Sequence, residues 1–531
     1  MICIWLAIAV FLLVLYLFQK YSKLSHDGVN HRPVVPFFGQ LFWVSLKKEH
    51  ITECLMRTVK AFPDDRIVGH YDLVNPLLII RDTELIKHIT IKDFEHFVEK
   101  RPFTNIYDPL FGRGLLLLRG AEWKSMRSKI SPAFTSSKIR LMLPFMLEVC
   151  EEMMTVIKKR IKESGKPYID VDARDLSSRY ANDVIASCAF GLKVNSQEVD
   201  TEFFRHNITL TTMRFIHVLK LYLMRLLPGV SKMFKVLLAS RETNDYFTSL
   251  ILNSIENREK NNIVRHDMIN ILMQLKKGQL TNDKDEADTD AGFASVKESS
   301  IGQKKYDFEW SDTDLVAQAV LFLFAGFSSI SITISYLLYE IALHPDVQDR
   351  LVEEFREHDA KNNGKCDYKS IQELVYLDMV ISESLRLWPI GAIIDRHCIK
   401  DYNLGRPNSK STKDLIVHKG ENVILPIWSL HRDPKYFPEP LKFDPDRFSP
   451  ENRDKIKPFS YMPFGSGPRN CIGSRFALCE IKVILYQLLR EMEVYPFEKT
   501  CVPVEFSDDM FGLAMKGGTW VRMRLRPEKL I

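Results

Sequence analysis

A chain of 531 residues with 46% hydrophobic residues can bury a large core, and its length fits one large fold as well as several domains. The formal net charge of +5 is small for this size, so it gives no argument for nucleic-acid binding and confines any basic docking face to a local patch. The nine cysteines, Cys3, Cys54, Cys150, Cys188, Cys366, Cys398, Cys471, Cys479 and Cys501, form neither a C-x-x-C pair nor a zinc-spaced cluster; scattered and odd in number, they suit reduced thiols in a cytosol-facing domain.

The first element is an unbroken apolar run over residues 2–18, about 17 residues and the lower limit for a membrane-spanning helix. Lys20, Lys23 and Arg32 follow it and only the terminal amine precedes it, which predicts a lumenal N-terminus and a cytosolic remainder. A cleaved signal peptide is the alternative. It usually carries a basic n-region and a small-x-small cleavage site, and Tyr16-Leu17-Phe18-Gln19-Lys20 offers neither. Residues 1–20 therefore read as an uncleaved signal anchor, without the Arg- and Ser-rich character of a mitochondrial presequence. Residues 21–40, with His31-Arg32-Pro33-Val34-Val35-Pro36, read as a stiff proline-containing hinge. Residues 41–531 read as one folded domain.

Within that domain, β-prone runs such as Leu77-Leu78-Ile79-Ile80 predict a small sheet near the N-terminus, and helical patterns dominate from about residue 120. Trp123 and Arg127 fall at i and i+4, on one helix face. A polar, acidic stretch over residues 276–307 predicts a mobile loop. Ser311-Asp312-Thr313-Asp314 then caps a helix that runs to about Leu343, where His344-Pro345 ends it. That helix is apolar on nearly every side, so it is expected to pass through the protein interior. Its middle reads Ala325-Gly326-Phe327-Ser328-Ser329. Further on, Glu383 and Arg386 lie three residues apart on a predicted helix, Arg396 follows in Ile394-Asp395-Arg396-His397, and Arg447 sits in Asp444-Pro445-Asp446-Arg447-Phe448.

Near the C-terminus, Pro463-Phe464-Gly465-Ser466-Gly467-Pro468-Arg469-Asn470-Cys471-Ile472-Gly473 places one cysteine on a glycine-flanked loop ahead of an apolar helix-forming stretch. Gly467 and Gly473 let the backbone approach a flat cofactor, Arg469 offers charge to an anionic group, and Phe464 can shield the sulfur from water. The pattern F-x-x-G-x-R-x-C-x-G resembles the haem-ligand loop of cytochromes P450. Trp123-Lys124-Ser125-Met126-Arg127 and Ser131-Pro132-Ala133-Phe134-Thr135 resemble that family's microsomal xenobiotic-metabolising clan, including its insect branch. The resemblance covers essentially the whole chain, with every motif in family order.

That resemblance implies a mainly α cytochrome P450 fold with a small N-terminal β-rich region, preceded by the transmembrane helix. It implies haem b as cofactor with Cys471 as its thiolate ligand, propionate contacts from Trp123, Arg127 and Arg396, and a structural triad of Glu383, Arg386 and Arg447. It further implies monooxygenation of small lipophilic compounds, with O2 and NADPH-derived electrons, at the endoplasmic reticulum membrane. The chain has no G-x-G-x-x-G loop after a strand, so its electrons are expected from outside it; the resemblance implies NADPH-cytochrome P450 reductase, with cytochrome b5 as a second candidate donor. Lys124, Arg127 and Lys129 are the basic residues expected near that docking face.

One motif departs from the family's A-G-x-[DE]-T pattern, in which the acid and threonine guide protons to dioxygen. Gly326 is retained, but Ser328 and Ser329 replace the acid and the threonine, which predicts slower or leakier proton delivery. The expected substrate walls are Phe103 and Phe111, in a loop over residues 103–118, with Phe324, Phe327, Ile390, Ile393 and Ile394. The apolar stretches Phe215-Ile216-His217-Val218-Leu219 and Leu226-Leu227-Pro228-Gly229 read either as a bilayer-dipping surface or as an ordinary amphipathic helix pair. Two rival functions remain at this stage: an O2-independent haem-thiolate isomerase or dehydratase of hydroperoxides, and a non-catalytic haem- or lipophile-binding protein.

Overall fold

The computed structural model describes residues 2–101, 108, 110–212, 215–278, 293–296, 310–507 and 512–527. Phe103 and most of the 276–307 stretch lie outside the described residues.

Two helices are long and apolar enough to cross a membrane, and their surroundings separate them. The helix Ile2–His26 leaves Trp5, Phe11 and Phe18 at 69%, 62% and 70% exposure, with no protein cover over its apolar window. At 1.5 Å per residue it is about 38 Å long, enough to span a hydrocarbon core of about 30 Å. The helix continues to His26 instead of ending near residue 20, because its last turn is docked. The Tyr71 hydroxyl donates to the carbonyls of Lys20 and Tyr21 and accepts the Leu24 N–H, and Leu24 is buried. The following residues are stitched to the domain as well: His31 pairs with Gly69, and Gly39 with Asp72. A Cβ on Gly39 (φ +62) would lie 2.3 Å from the Tyr71 carbonyl oxygen, so this part of the expected hinge is held tightly.

The second long helix, Asp312–Leu343, runs through the core. Its start is the predicted one: the Ser311 hydroxyl accepts the Asp314 N–H at 3.1 Å, and the Asp314 carboxylate accepts the Ser311 N–H at 3.0 Å. Ile334, Leu337, Leu338 and Ile341 are fully buried, so truncating any one to alanine costs about 2–5 kcal/mol. In its polar middle three hydroxyls are satisfied by bonding back to the preceding turn: Ser329 to the Ala325 carbonyl (2.6 Å), Ser331 to Phe327 (2.7 Å), and Thr333 to Ser329 (2.9 Å). It crosses the helix Ala173–Ile185 closely, and a Cβ on Gly326 would meet Ile185 Cδ1 at 2.9 Å. A side chain at position 326 would thus force Ile185 to shift, so glycine lets the two helices approach as closely as they do.

Around these helices lie three small sheets. The largest has the order β1 (Ile67–Asp72), β2 (Asn75–Ile80), β7 (Asn422–Leu425), β4 (Ile394–His397). The expected N-terminal sheet therefore takes two of its four strands from the C-terminal half, with β2 and β7 parallel (Leu78 opposite Val423) and β4 and β7 antiparallel (Arg396 opposite Val423). The second sheet, β3 (Tyr168–Asp172), β9 (Trp520–Leu525), β8 (Met492–Tyr495), ties the chain end to the helical core. A two-stranded ladder, β5 (Tyr402–Asn403) with β6 (Ile416–Val417), completes the set.

Candidate active site

Cys471 lies on a tight loop whose shape is fixed by its own backbone. The Cys471 N–H donates to the Phe464 carbonyl at 2.9 Å, the Asn470 N–H to Gly467 at 3.0 Å, and the helix Ser474–Glu491 starts immediately after Gly473. The positive end of that helix favours anionic sulfur at its threshold. Cys471 is exposed, whereas Cys54, Cys150, Cys188, Cys398 and Cys479 are buried. Burial pushes the Cys54 thiol up to about 11 and the Cys479 thiol up to about 12, so these cysteines stay protonated. Cys188 shares the cavity lining with Cys471, but burial raises its thiol far above its ordinary range.

The cavity over Cys471 has a volume of about 440 Å³ and is lined on one side by the cysteine loop and on the other by the central helix. Trp123, Arg127, Phe464, Arg469 and Gly473 all line it, so residues far apart in the chain meet there. Arg127 is buried and grips the residue before the cysteine: its Nη1 and Nη2 donate to the Asn470 carbonyl (3.1 Å) and side-chain Oδ1 (2.8 Å). Arg469 stacks over the Trp123 ring at 3.8 Å and donates to the carbonyls of Val98 (2.9 Å) and Leu118 (2.8 Å). These acceptors are neutral, and burial, helped by the charge of Arg396, holds the guanidinium well below its ordinary range against the attraction of Asp395 and Glu99.

Lys100, for which the sequence held no signal, also lines the cavity, and burial pulls its ammonium down to about 8. Arg396 lies outside the lining. It is fully buried, its Nε has no hydrogen-bond partner, and burial lowers it to about 10. Three lining cations, Lys100, Arg127 and Arg469, thus face one lining carboxylate, Asp395, among the described residues. Three cations against one carboxylate give this side of the lining a positive charge, so the donor set fits a flat apolar ligand that carries anionic groups on one edge.

A family model described as cytochrome P450 matches residues 30–521. The chain belongs to the cytochrome P450 family. The probable cytochrome P450 9f2 of Drosophila melanogaster is 38% identical over 98% of this chain and 99% of its own length. Cytochrome P450 9e2 of Blattella germanica is 37% identical over 98% of both, and the probable cytochrome P450 6a13 of Drosophila melanogaster 36% over 98% of both. The match is with insect-type members. The protein is accordingly a haem b-dependent monooxygenase that incorporates molecular oxygen into a small molecule and takes its electrons from a redox partner.

Several residues in this P450 sit differently from their sequence-based expectation. Ala325, Gly326, Ser329, Ile330 and Thr333 line the cavity, but Ser328 does not, being turned off that face by the helical repeat. Thr333, one turn beyond Ser329, is the additional hydroxyl there, and i+4 spacing alone would have found it. Phe324, Ile390, Ile393 and Ile394 line the cavity; Phe111 and Phe327 do not. Phe111 packs edge-on behind Phe324 at 5.6 Å, and Phe327 points to the opposite side of its helix, against Phe204 at 6.4 Å. Gly467 (φ +72) is demanded by a neighbouring chain segment, since a Cβ there would lie 1.8 Å from the Thr90 carbonyl oxygen. Arg127 is buried and Lys124 is held by Glu95 at 2.7 and 2.8 Å, which removes Arg127 from any docking surface.

Glu383 and Arg386, on the helix Val375–Leu387, form a fully buried bidentate pair at 2.7 and 2.8 Å. Arg386 also donates to the carbonyls of His431, Pro440 and Lys442, fastening the 431–442 segment to this helix. Arg447 is the looser member: its Nε lies 3.5 Å from Glu383 without a hydrogen bond there. His431 links the set to the cysteine loop, donating from Nδ1 to the Arg386 carbonyl and accepting the Met462 N–H at Nε2 (2.9 Å). A lone histidine carries no motif, so the sequence did not reveal it.

Proposed function

We propose that this protein is anchored by its N-terminal helix in the endoplasmic reticulum membrane, with residues 41–531 as a cytosolic catalytic domain. There it oxidises small lipophilic compounds, chiefly xenobiotics, with electrons from NADPH-cytochrome P450 reductase and cytochrome b5 as a second donor. The observation that carries the substrate class is the cavity lining away from the cysteine loop, where Leu116, Phe324, Ile330, Ile390 and Ile394 accompany two hydroxyls, Ser329 and Thr333, among the described residues.

When bound, haem b ligated by a cysteine thiolate supplies the electron-rich iron chemistry that cleaves dioxygen. Cys471 would be the ligand, with Lys100, Arg127 and Arg469 holding the propionates, Trp123 and Phe464 closing the thiolate side, and Arg396 adding positive charge behind them. Glu383, Arg386 and Arg447 shape the fold that presents the loop. On the opposite wall, Gly326 keeps the helix surface low and the Ser329 oxygen offers lone pairs to a water chain, while its proton is committed to Ala325. The apolar lining excludes bulk water and orients a lipophilic substrate by shape.

The test is reconstitution of the full chain with purified reductase in lipid vesicles, followed by NADPH-dependent oxygen uptake and product analysis over a panel of lipophilic compounds. Oxygenated products that require NADPH support the proposal. Rearrangement of hydroperoxides without NADPH, with no oxygen uptake, would replace it with an isomerase.

A further inference from the structure

The polar stretch over residues 276–307 has two aromatic residues, Phe293 and Tyr306. The first of them is docked on the domain. Phe293 packs against Phe448 at 5.3 Å and stacks on Tyr461 at 5.7 Å with 27° between the rings, and the neighbouring Ala294 is buried in the main core. The Phe293 N–H donates to the Asp378 carboxylate at 2.7 Å, a charge-assisted bond. In a stretch so poor in apolar residues, a ring held this way is the exception.

Both partners of Phe293 lead to Cys471. Tyr461 lies ten residues before the cysteine. It stacks on His431 at 5.2 Å and donates its hydroxyl to the Ser382 carbonyl at 2.9 Å, and the N–H of the next residue, Met462, is held by His431 Nε2 at 2.9 Å. Asp378 reaches the other arm of the loop. It stands 3.5 Å from Lys482, which is fully buried on the helix Ser474–Glu491 just past the cysteine and donates to Gln372 at 3.1 Å. A ring that merely tied down its own stretch could rest on any apolar patch. This one closes on residues that hold the cysteine loop at either end.

We infer that Phe293 is a positioning residue for the thiolate loop: by stacking on Tyr461 and bonding to Asp378 it restrains the segments on both sides of Cys471 and so holds the sulfur in place. Without the ring, Tyr461 keeps its hydroxyl bond and its His431 stack, so the fold survives while the loop opens more often. An aromatic stack of this kind supports a change of about two- to tenfold in that opening equilibrium. The inference rests on Cys471 as the haem ligand proposed above.

The test is hydrogen exchange of the full haem-loaded chain in lipid vesicles, read by mass spectrometry on the peptide that carries the Met462 and Cys471 amides. The ferrous–carbon monoxide absorption band that reports thiolate ligation is followed alongside. Phe293→Ala is expected to speed exchange in that peptide by the stated factor and to hasten loss of the thiolate band in mild denaturant, with exchange in the helix Asp312–Leu343 unchanged. Phe293→Tyr should restore both. Should the alanine variant fold poorly, Phe293→Leu keeps the apolar bulk without the ring and is read in the same way. Unchanged exchange at Met462 and Cys471 in the ringless protein would overturn the inference. A rise of equal size throughout the domain would overturn it too, marking Phe293 as a general stabiliser. A wild-type chain that lacks the thiolate band would overturn the Cys471 reading itself, and this inference with it.

Discussion

The Ser329 hydroxyl donates to the Ala325 carbonyl at 2.6 Å, one turn back on the helix that forms the roof of the haem cavity. Ser329 therefore presents acceptor lone pairs, not a free donor, to that cavity, and nothing but this bond fixes its χ1. A threonine here would hold the same bond with a stiffer χ1. Ser328 is not among the lining residues, so an acid there would have to reach the cavity through solvent. Ser329→Thr is therefore expected to lower peroxide released per NADPH consumed, whereas Ser328→Asp alone changes it little. If Ser328→Asp by itself lowers peroxide release as fully as Ser329→Thr, the assignment of the relay to position 329 fails.

Arg386 and Arg447 are expected to differ sharply in what they contribute. Arg386 is fully buried, makes two charge-assisted bonds to Glu383 and holds three carbonyls besides, so Arg386→Ala strands a buried carboxylate at about 3–5 kcal/mol. Arg447 stands 3.5 Å from that carboxylate without a hydrogen bond to it, and it donates to the Glu439 carbonyl instead. Arg447→Ala is expected to cost about 1–2 kcal/mol, close to an ordinary hydrogen bond to a charged group. Denaturation midpoints and haem content of the two variants give the comparison; equal losses would mean the triad acts as one unit.

Acid should attack the fold at His431. Burial, reinforced by the charges of Arg386 and Arg432, lowers this imidazole to about 3. The unfolded chain takes up that proton near 6.5, so between about pH 6.5 and 3 the unfolded state binds more protons and stability is lost as pH falls. His431→Gln should start less stable by about 1 kcal/mol for its lost bonds, yet show a shallower decline across the window. Parallel decline in both proteins would place the acid sensitivity elsewhere, with buried His70, lowered to about 4, the next candidate.

What could be read beforehand follows from how local each signal is. Phe464, Arg469, Cys471 and Gly473 fall within ten positions and declare a haem loop; Glu383 and Arg386 are one helical turn apart; the capped apolar run ending at His344-Pro345 declares a buried helix. By contrast, the parallel pairing of Leu78 with Val423 joins opposite halves of the chain and leaves no local trace. Phe324 and Phe327 look equivalent in sequence, and only the close crossing at Gly326 and Ile185 decides that the first meets the cavity and the second meets Phe204. Lys100 was invisible for the same reason, since a lysine in Glu99-Lys100-Arg101 reads as an exposed charge until the fold closes over it.

That lysine provides a test of the propionate assignment that does not depend on turnover. In the haem-free chain, burial lowers Lys100 from an ordinary 10.5 to about 8, outweighing the attraction of Asp395. The unfolded chain keeps its proton to about 10.4, so between those two values the unfolded state binds more protons and the haem-free fold gains stability as pH rises. Lys100→Met should remove that gain and stabilise the haem-free protein near neutral pH. In the haem-bound protein, propionate carboxylates would hold the proton on Lys100 and raise its pKa, so the wild type should lose the rise with pH once loaded. The same substitution should speed haem transfer to an apoglobin acceptor. Denaturant midpoints of both forms, at steps between pH 8 and pH 10, give the comparison. An identical pH slope in wild-type and Lys100→Met haem-free protein would show that Lys100 is not a cation facing the propionates.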